Sequence, residues 1–238
     1  MPWLFNFPDP GLAFDAALHF GTAIAVVSFF WRDFMKYIKA FLHSVSSRSV
    51  TTHDEKLAWY LVVCSIPGAI IGMLLEDSAA SIFRSPLLIA ATLSVVGIVL
   101  LLADRHGKKT KDIKNISFVD ALIIGTAQAI AIIPGVSRSG ITMTAGLMRN
   151  IDRSDAARFS FLLSAPITIG AALYATREIV HTSLNAAFFV GIIVSAVVGY
   201  LSIKYLLKFL QLRSFAVFTA YRLVLAALIV AIVVLGIR

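Results

Sequence analysis

Apolar residues in this chain run in long unbroken windows instead of recurring at every second position. Leu57–Leu75, Pro86–Ala103, Phe159–Thr176 and Ala186–Ile203 contain no Asp, Glu, Lys or Arg. Leu12–Trp31 adds only Asp15 and His19 to that pattern, and Phe215–Ile237 adds only Arg222. Windows of about 18–23 residues, at 1.5 Å per residue, cross roughly 30 Å of hydrocarbon. The pattern predicts six membrane-spanning helices. Helices are required because lipid cannot satisfy open backbone groups, and continuous apolar content does not match the alternation of a membrane barrel.

One region breaks the pattern. Phe118–Ile133 carries Asp120 and Gln128 and stops at Pro134-Gly135; a second apolar piece, Ile141–Met148, is far too short to span. Proline and glycine between the pieces interrupt a helix. The segment reads as a re-entrant hairpin, with one helix in, a tight polar turn, and a short helix from Gly140 leading out.

Loop charge supports that reading. If the hairpin returns to the side it enters from, sixteen Lys and Arg residues in four loops share one side, and only Arg84, Arg177 and Arg238 face the other. If it crosses, the later loops swap sides and the asymmetry shrinks. The positive-inside rule therefore favours the hairpin and places both termini outside the cytoplasm. Met1–Gly11 has no basic n-region and is interrupted by Pro2, Pro8 and Pro10, so it does not read as a signal peptide. Residues 1–238 are expected to form a single integral membrane domain.

Composition agrees. Hydrophobic residues make up 59% of the 238 residues and charged residues 14%, and the mean hydropathy is +0.88. A soluble enzyme, a disordered chain and a disulfide scaffold are all excluded. The net charge of +8 reads as cytoplasmic loops facing anionic lipid, with no call for nucleic acid. Cys64 is the single cysteine, so no intrachain disulfide forms.

The chemistry concentrates in the turn Pro134-Gly135-Val136-Ser137-Arg138-Ser139-Gly140-Ile141-Thr142. An arginine near the bilayer centre costs about 2.5–3.5 kcal/mol on insertion scales and needs an anionic partner. Its planar fork suits phosphate oxygens. Ser137, Ser139 and Thr142 add hydroxyls, and Gly135 and Gly140 permit close backbone approach. The N-terminus of the following helix adds N–H groups and a positive dipole end. The stretch reads as an oxyanion site for phosphate or diphosphate; the alternative is an arginine paired with an Asp or with helix carbonyls. Asp15 and His19, four apart, share a helix face. They suit a base or cation ligand, and equally a structural pair. Gln128 is placed to hydrogen-bond substrate or to brace the hairpin. Arg222 is expected to snorkel to the cytoplasmic face or to pair with Asp120. Pro67 and Pro166 are expected to kink their spans. No Walker A, HExxH or CxxC signature occurs, and the remaining histidines lie at no metal-ligand spacing.

Ala129–Thr142, AIAIIPGVSRSGIT, resembles the second signature of the bacterial undecaprenyl-diphosphate phosphatases, the bacitracin-resistance family. Phe14–Arg32 is similar to that family's F-[ED]-x-x-[LI]-[QH]-x-G stretch and following span. The run AARFSFLLSA ending at Ala165 resembles the segment after the signature, and Ala220–Leu223, AYRL, the start of the final span. The resemblance implies hydrolysis of undecaprenyl diphosphate to undecaprenyl phosphate and inorganic phosphate, recycling the carrier for cell-wall synthesis. Bacitracin would compete for the same lipid. The resemblance also implies an all-α inverted-repeat membrane fold in the bacterial inner membrane and a divalent cation, Mg or Ca. It leaves room for self-association into a homo-oligomer. On the family pattern, Arg138, Ser137 and Ser139 would be catalytic. Thr142, Gly135, Gly140, Gln128, Asp15 and His19 would contact substrate.

The family's first signature, a glutamate-rich segment followed by Pro-Val-Ser-Ser-x-Gly-His, has no counterpart before the first span. The chain is therefore expected to be N-terminally short relative to the family, with impaired turnover as it stands. The competing functional classes are a polyprenyl-phosphate transporter or flippase, and an inactive lipid-diphosphate binder.

Overall fold

The computed structural model describes residues 12–75, 85–179 and 186–236. Those residues form ten α-helices with two short 3₁₀ turns. In chain order they are α1 Leu12–Phe29, α2 Trp31–Ser47, α3 His53–Val63, α4 Ile66–Leu74, α5 Pro86–His106, α6 Phe118–Ala127, α7 Arg138–Met148, α8 Arg153–Ile179, α9 Ala186–Leu212 and α10 Ala216–Val234. No strand occurs among the described residues. The chain is an all-α polytopic membrane protein.

Each predicted span falls on a helix or a helix pair, with differences that have physical causes. Four runs are long and apolar enough to cross a membrane: His53–Leu74, Pro86–His106, Ala186–Leu212 and Ala216–Val234. The first and fourth predicted spans fall on α1 and α8. The second span is broken into α3 and α4 at Cys64-Ser65. Pro67 sits in the first turn of α4, where its missing N–H costs nothing. Pro166, by contrast, lies inside α8 without ending it.

The stretch expected as a loop after the first span is largely α2. Trp31, Met35, Ile38, Leu42 and Val45 form an exposed apolar stripe on it, and Tyr37 and Ser44 are buried on the opposite side. A helix of this kind lies along a membrane interface, and Trp31 suits an interfacial anchor.

The hairpin is present. α6 continues as a 3₁₀ turn over Gln128–Ile132, the chain reverses, and α7 returns alongside it. Both ends of the hairpin meet at one level: the Lys111 N–H donates to Asn150 O at 2.9 Å and the Asp152 N–H donates to Lys111 O at 2.8 Å. Asp120, completely buried, receives Lys111 Nζ at 2.9 Å and Arg149 Nε at 2.6 Å. Its other bonds close a capping box with Ser117 at the start of α6. Eleven residues of α7 reach about 16 Å, half of roughly 30 Å of hydrocarbon, so the turn lies near mid-depth. Gly125 allows the close approach this needs, because a Cβ there would lie 2.1 Å from Cys64 O.

A second buried carboxylate ties the same side together. Asp104, at the end of α5, takes Arg153 Nε at 2.5 Å and the Phe215 N–H at 3.0 Å. It thereby joins the starts of α8 and α10 to α5. Between these clamps and the turn, Met143, Leu147, Ala157 and Phe215 pack as one buried cluster.

Candidate functional site

The turn is shaped by its own backbone. Gly135 has φ +88°, a left-handed conformation that a side chain strains, and a Cβ there would lie 2.2 Å from Thr92 Oγ1. Ser137 also has φ 67° and caps the helix, its Oγ accepting the Gly140 N–H at 3.2 Å. α7 therefore begins at Arg138, not at Gly140 as the sequence suggested, because Ser137 takes the cap position. The first N–H groups of α7 are those of Arg138 and Ser139, which have no intrahelical acceptor. They supply the positive helix end at mid-depth.

Arg138 is half-buried. Its Nη1 donates to Thr168 Oγ1 on α8 at 3.0 Å, and Thr168, 4% exposed, donates in turn to Ser164 O at 2.8 Å. No carboxylate pairs with Arg138 among the described residues. Thr142 does not reach into open space. It is buried and shares a 2.6 Å hydroxyl bond with Ser160, with a bond back to Arg138 O at 2.9 Å. Its place is behind the arginine, fixing α7 against α8. Ser137 is exposed, Ser139 is half-buried and Gly140 is buried.

Arg222 neither snorkels nor meets Asp120, whose oxygens are already occupied by Lys111, Arg149 and Ser117. It is 7% exposed and reaches across α5 to the turn. Its Nη2 donates to Gly135 O at 2.8 Å and to Val136 O at 3.1 Å. Its Nε donates to Leu93 O at 3.1 Å. Thr219, one turn earlier, donates to Gly97 O at 2.9 Å and holds α10 against α5. Thr92 completes the brace with a 2.7 Å bond to Pro134 O.

The other predicted residues separate. His19 lines a cleft with Arg138, Ser139 and Thr168. Asp15 lies on α1, but its side chain is outside the described residues. Gln128 is 4% exposed and packs beside Gly68 and Ile167. Both of its amide atoms lack a hydrogen-bond partner among the described residues. It is not among the residues that line Arg138's cleft. Thr92, Ser160, Thr168 and Arg222 were not assigned to the site from sequence. The first three look like ordinary span hydroxyls. The four-residue spacing of Ser160, Ser164 and Thr168 along one face of α8 was the signal available for two of them.

The site is cationic and hydroxyl-rich. Among the described residues no group of three or more His, Cys, Asp or Glu side chains lies together. Guanidinium groups and the start of α7 supply positive charge at the turn.

Comparison with known proteins agrees with the geometry. The family model described as bacitracin resistance protein BacA matches residues 1–228. The undecaprenyl-diphosphatase of Moorella thermoacetica is 53% identical over 231 residues, covering 97% of this chain and 87% of that protein. The undecaprenyl-diphosphatase of Pelotomaculum thermopropionicum is 48% identical, with 97% and 86% covered. That of Desulforudis audaxviator is 47% identical, with 99% and 88% covered.

Proposed function

Because the chain belongs to the bacitracin resistance protein family, we propose that it hydrolyses undecaprenyl diphosphate to undecaprenyl phosphate and inorganic phosphate. The observation that carries this reading is Arg138. It is a guanidinium near mid-depth whose protein partner is the neutral Thr168 hydroxyl. Among the described residues it has no anionic partner, and a diphosphate supplies one.

In the reaction one water is consumed, the bridging P–O bond breaks, and the bridging oxygen leaves with the prenyl phosphate. Arg138 holds the phosphate oxygens and stabilises the charge that gathers as the bond breaks. Ser137 and Ser139 add neutral donors, and the first N–H groups of α7 add fixed dipoles. Arg222 holds the carbonyls of Gly135 and Val136 away from the anion. The polyprenyl-phosphate transporter reading has no observation of its own in its favour.

The membrane is the bacterial inner membrane, with both termini on its outer face, and bacitracin competes by binding the lipid diphosphate. Two experiments test this. The purified protein should release phosphate from undecaprenyl diphosphate at a reduced but measurable rate, and failure to do so under any cation supplied would remove the phosphatase reading. In a Cys64→Ala background, a cysteine at Thr110 should react with an impermeant maleimide only from the cytoplasmic side, and one at Ser85 only from outside. The reverse result would overturn the orientation.

A further inference from the structure

The 17 residues of α2 divide into three strips. Phe34, Tyr37, Phe41 and Ser44 form the packed side. There the rings of Phe41 and Trp59 lie 4.8 Å apart, and Trp59 Nε1 donates to Ser44 Oγ at 3.0 Å. Trp31, Met35, Ile38, Leu42 and Val45 form the exposed apolar stripe. Bordering that stripe, on the side away from the packed residues, run Arg32, Lys36, Lys39 and His43. Their spacing of four, three and four places them on one edge, and all four are exposed.

Two of these four basic residues serve the fold. Lys36 Nζ lies 2.7 Å from Asp54 Oδ1, and His43 Nδ1 lies 2.8 Å from Oε1 of the buried Glu55, so both hold α2 to the start of α3. Asp33, the one acidic residue of α2, accepts from Arg158 Nη2 on α8 at 2.6 Å. Arg32 and Lys39 have no ion-pair partner among the described residues. They are positive charges without a counterpart, set beside an apolar stripe.

The level of α2 in the membrane follows from the chain. α1, a predicted span, ends at Phe29, and α2 starts at Trp31. Its start is therefore fixed where hydrocarbon gives way to headgroups, the level that suits tryptophan. Acyl chains of any phospholipid cover the stripe. A zwitterionic headgroup brings its own cation to Arg32 and Lys39, whereas an anionic one brings phosphodiester charge that nothing else neutralises.

We propose that the Arg32–Lys39 edge of α2 is a binding surface for anionic phospholipid. Phosphodiester oxygens meet the two cations, and the acyl chains below them cover Trp31, Met35, Ile38 and Leu42. Arg32 offers a planar fork and Lys39 a point charge. Seven residues separate them, about 10 Å along the helix, so each takes a separate headgroup. On the orientation proposed above, these lipids belong to the cytoplasmic leaflet.

The test places the full chain in nanodiscs of phosphatidylcholine and phosphatidylglycerol, with Trp3→Phe and Trp59→Phe leaving Trp31 as the single tryptophan. Bromine is carried on the acyl chains of one lipid at a time. Brominated phosphatidylglycerol should quench Trp31 about two- to fivefold more than brominated phosphatidylcholine at the same mole fraction. That excess should vanish in the Arg32→Gln, Lys39→Gln double variant and shrink at high salt. It should persist in Lys108→Gln, Lys114→Gln, which removes the same charge from exposed positions in another loop. Equal quenching by the two lipids would overturn the proposal, as would an excess that survives loss of Arg32 and Lys39 or is lost with Lys108 and Lys114. Quenching by neither lipid would also overturn it, by putting a second copy or another protein over α2. If the Trp59→Phe chain does not fold, the same comparison is made on the unaltered chain, as the share of quenching that Trp31→Phe removes. Phosphate release enters none of these readings, so their outcome and that of the phosphatase reading are separate.

Discussion

Asp120 at the base of the hairpin and Arg138 at its tip are both ionisable side chains held away from bulk water, yet their surroundings differ in kind. Asp120 takes two cations, Lys111 and Arg149, and two bonds from Ser117. Asp104, at the same level, takes Arg153, Lys109 and a backbone N–H. At the tip, among the described residues, Arg138 and Arg222 meet a hydroxyl and backbone carbonyls. Burying a carboxylate costs several kcal/mol unless opposite charge and hydrogen bonds offset it. The base meets that requirement inside the protein. The tip leaves two positive charges to be met from outside. The contrast separates charge that holds the fold together from charge kept for a ligand.

The largest effect should come from the tip. Arg138→Ala should lower the rate of phosphate release by at least about 10²-fold, because loss of a comparable oxyanion donor costs 10²–10³ and arginine fingers reach 10³–10⁵. Arg138→Lys should recover part of the loss, since it keeps the charge and loses the planar fork. Thermal unfolding in detergent should be nearly unchanged, as no ion pair is broken. A folded Arg138→Ala protein with a near-normal rate would put the tip in the same class as the base.

The base should show the reverse pattern. Asp120→Ala removes the acceptor shared by Lys111, Arg149 and Ser117. Those cations are about a third exposed, at 33% and 39%, so water recovers part of what they lose. Destabilisation of about 2–3 kcal/mol is expected from denaturant unfolding. The folded fraction should keep its rate within about threefold. A rate loss matching Arg138→Ala with unchanged stability would erase the distinction. Ser137→Ala should fall between the two in its effect on rate. It removes a neutral donor and the α7 cap, worth about 1 kcal/mol, from a site that retains both arginines.

How much of this was readable beforehand follows the same division. The hairpin was legible because Pro134-Gly135 punctuates an apolar run and because loop charge is asymmetric. The cationic, hydroxyl-rich turn was legible because an arginine between two serines interrupts an apolar run. Pairings that depend on distant segments were not. Nothing local to Asp120 distinguishes Arg149 from Arg222 as its partner; that follows from α7 returning to the level of Lys111. The break at Cys64-Ser65 was hidden because proline in a first turn and proline inside a helix look alike in sequence. Pro67 and Pro166 show both outcomes. In sequence Gln128 reads as either a substrate contact or a brace for the hairpin; the packing sets it beside Gly68, with both amide atoms unpartnered among the described residues.

The finest test concerns Thr168, the hydroxyl that holds Arg138 when no anion is present. It accepts from Nη1 at 3.0 Å and donates to Ser164 O at 2.8 Å. Thr168→Val keeps the shape and removes both bonds. Were Thr168 to Arg138 what Lys111 is to Asp120, its loss would show in stability. Valine instead releases a guanidinium that can turn toward phosphate, so the unfolding midpoint should barely move. The arginine then arrives less well oriented, and orientation matters more as charge develops than in the ground state. The expected result is a fall in kcat of about two- to fivefold with KM changed by less, because the phosphate replaces the lost hydroxyl once bound. Thr168→Ser, which restores the acceptor, should return kcat to near its original value. An increase in KM at constant kcat would instead make Thr168 a substrate contact, and would widen the anion site along α8.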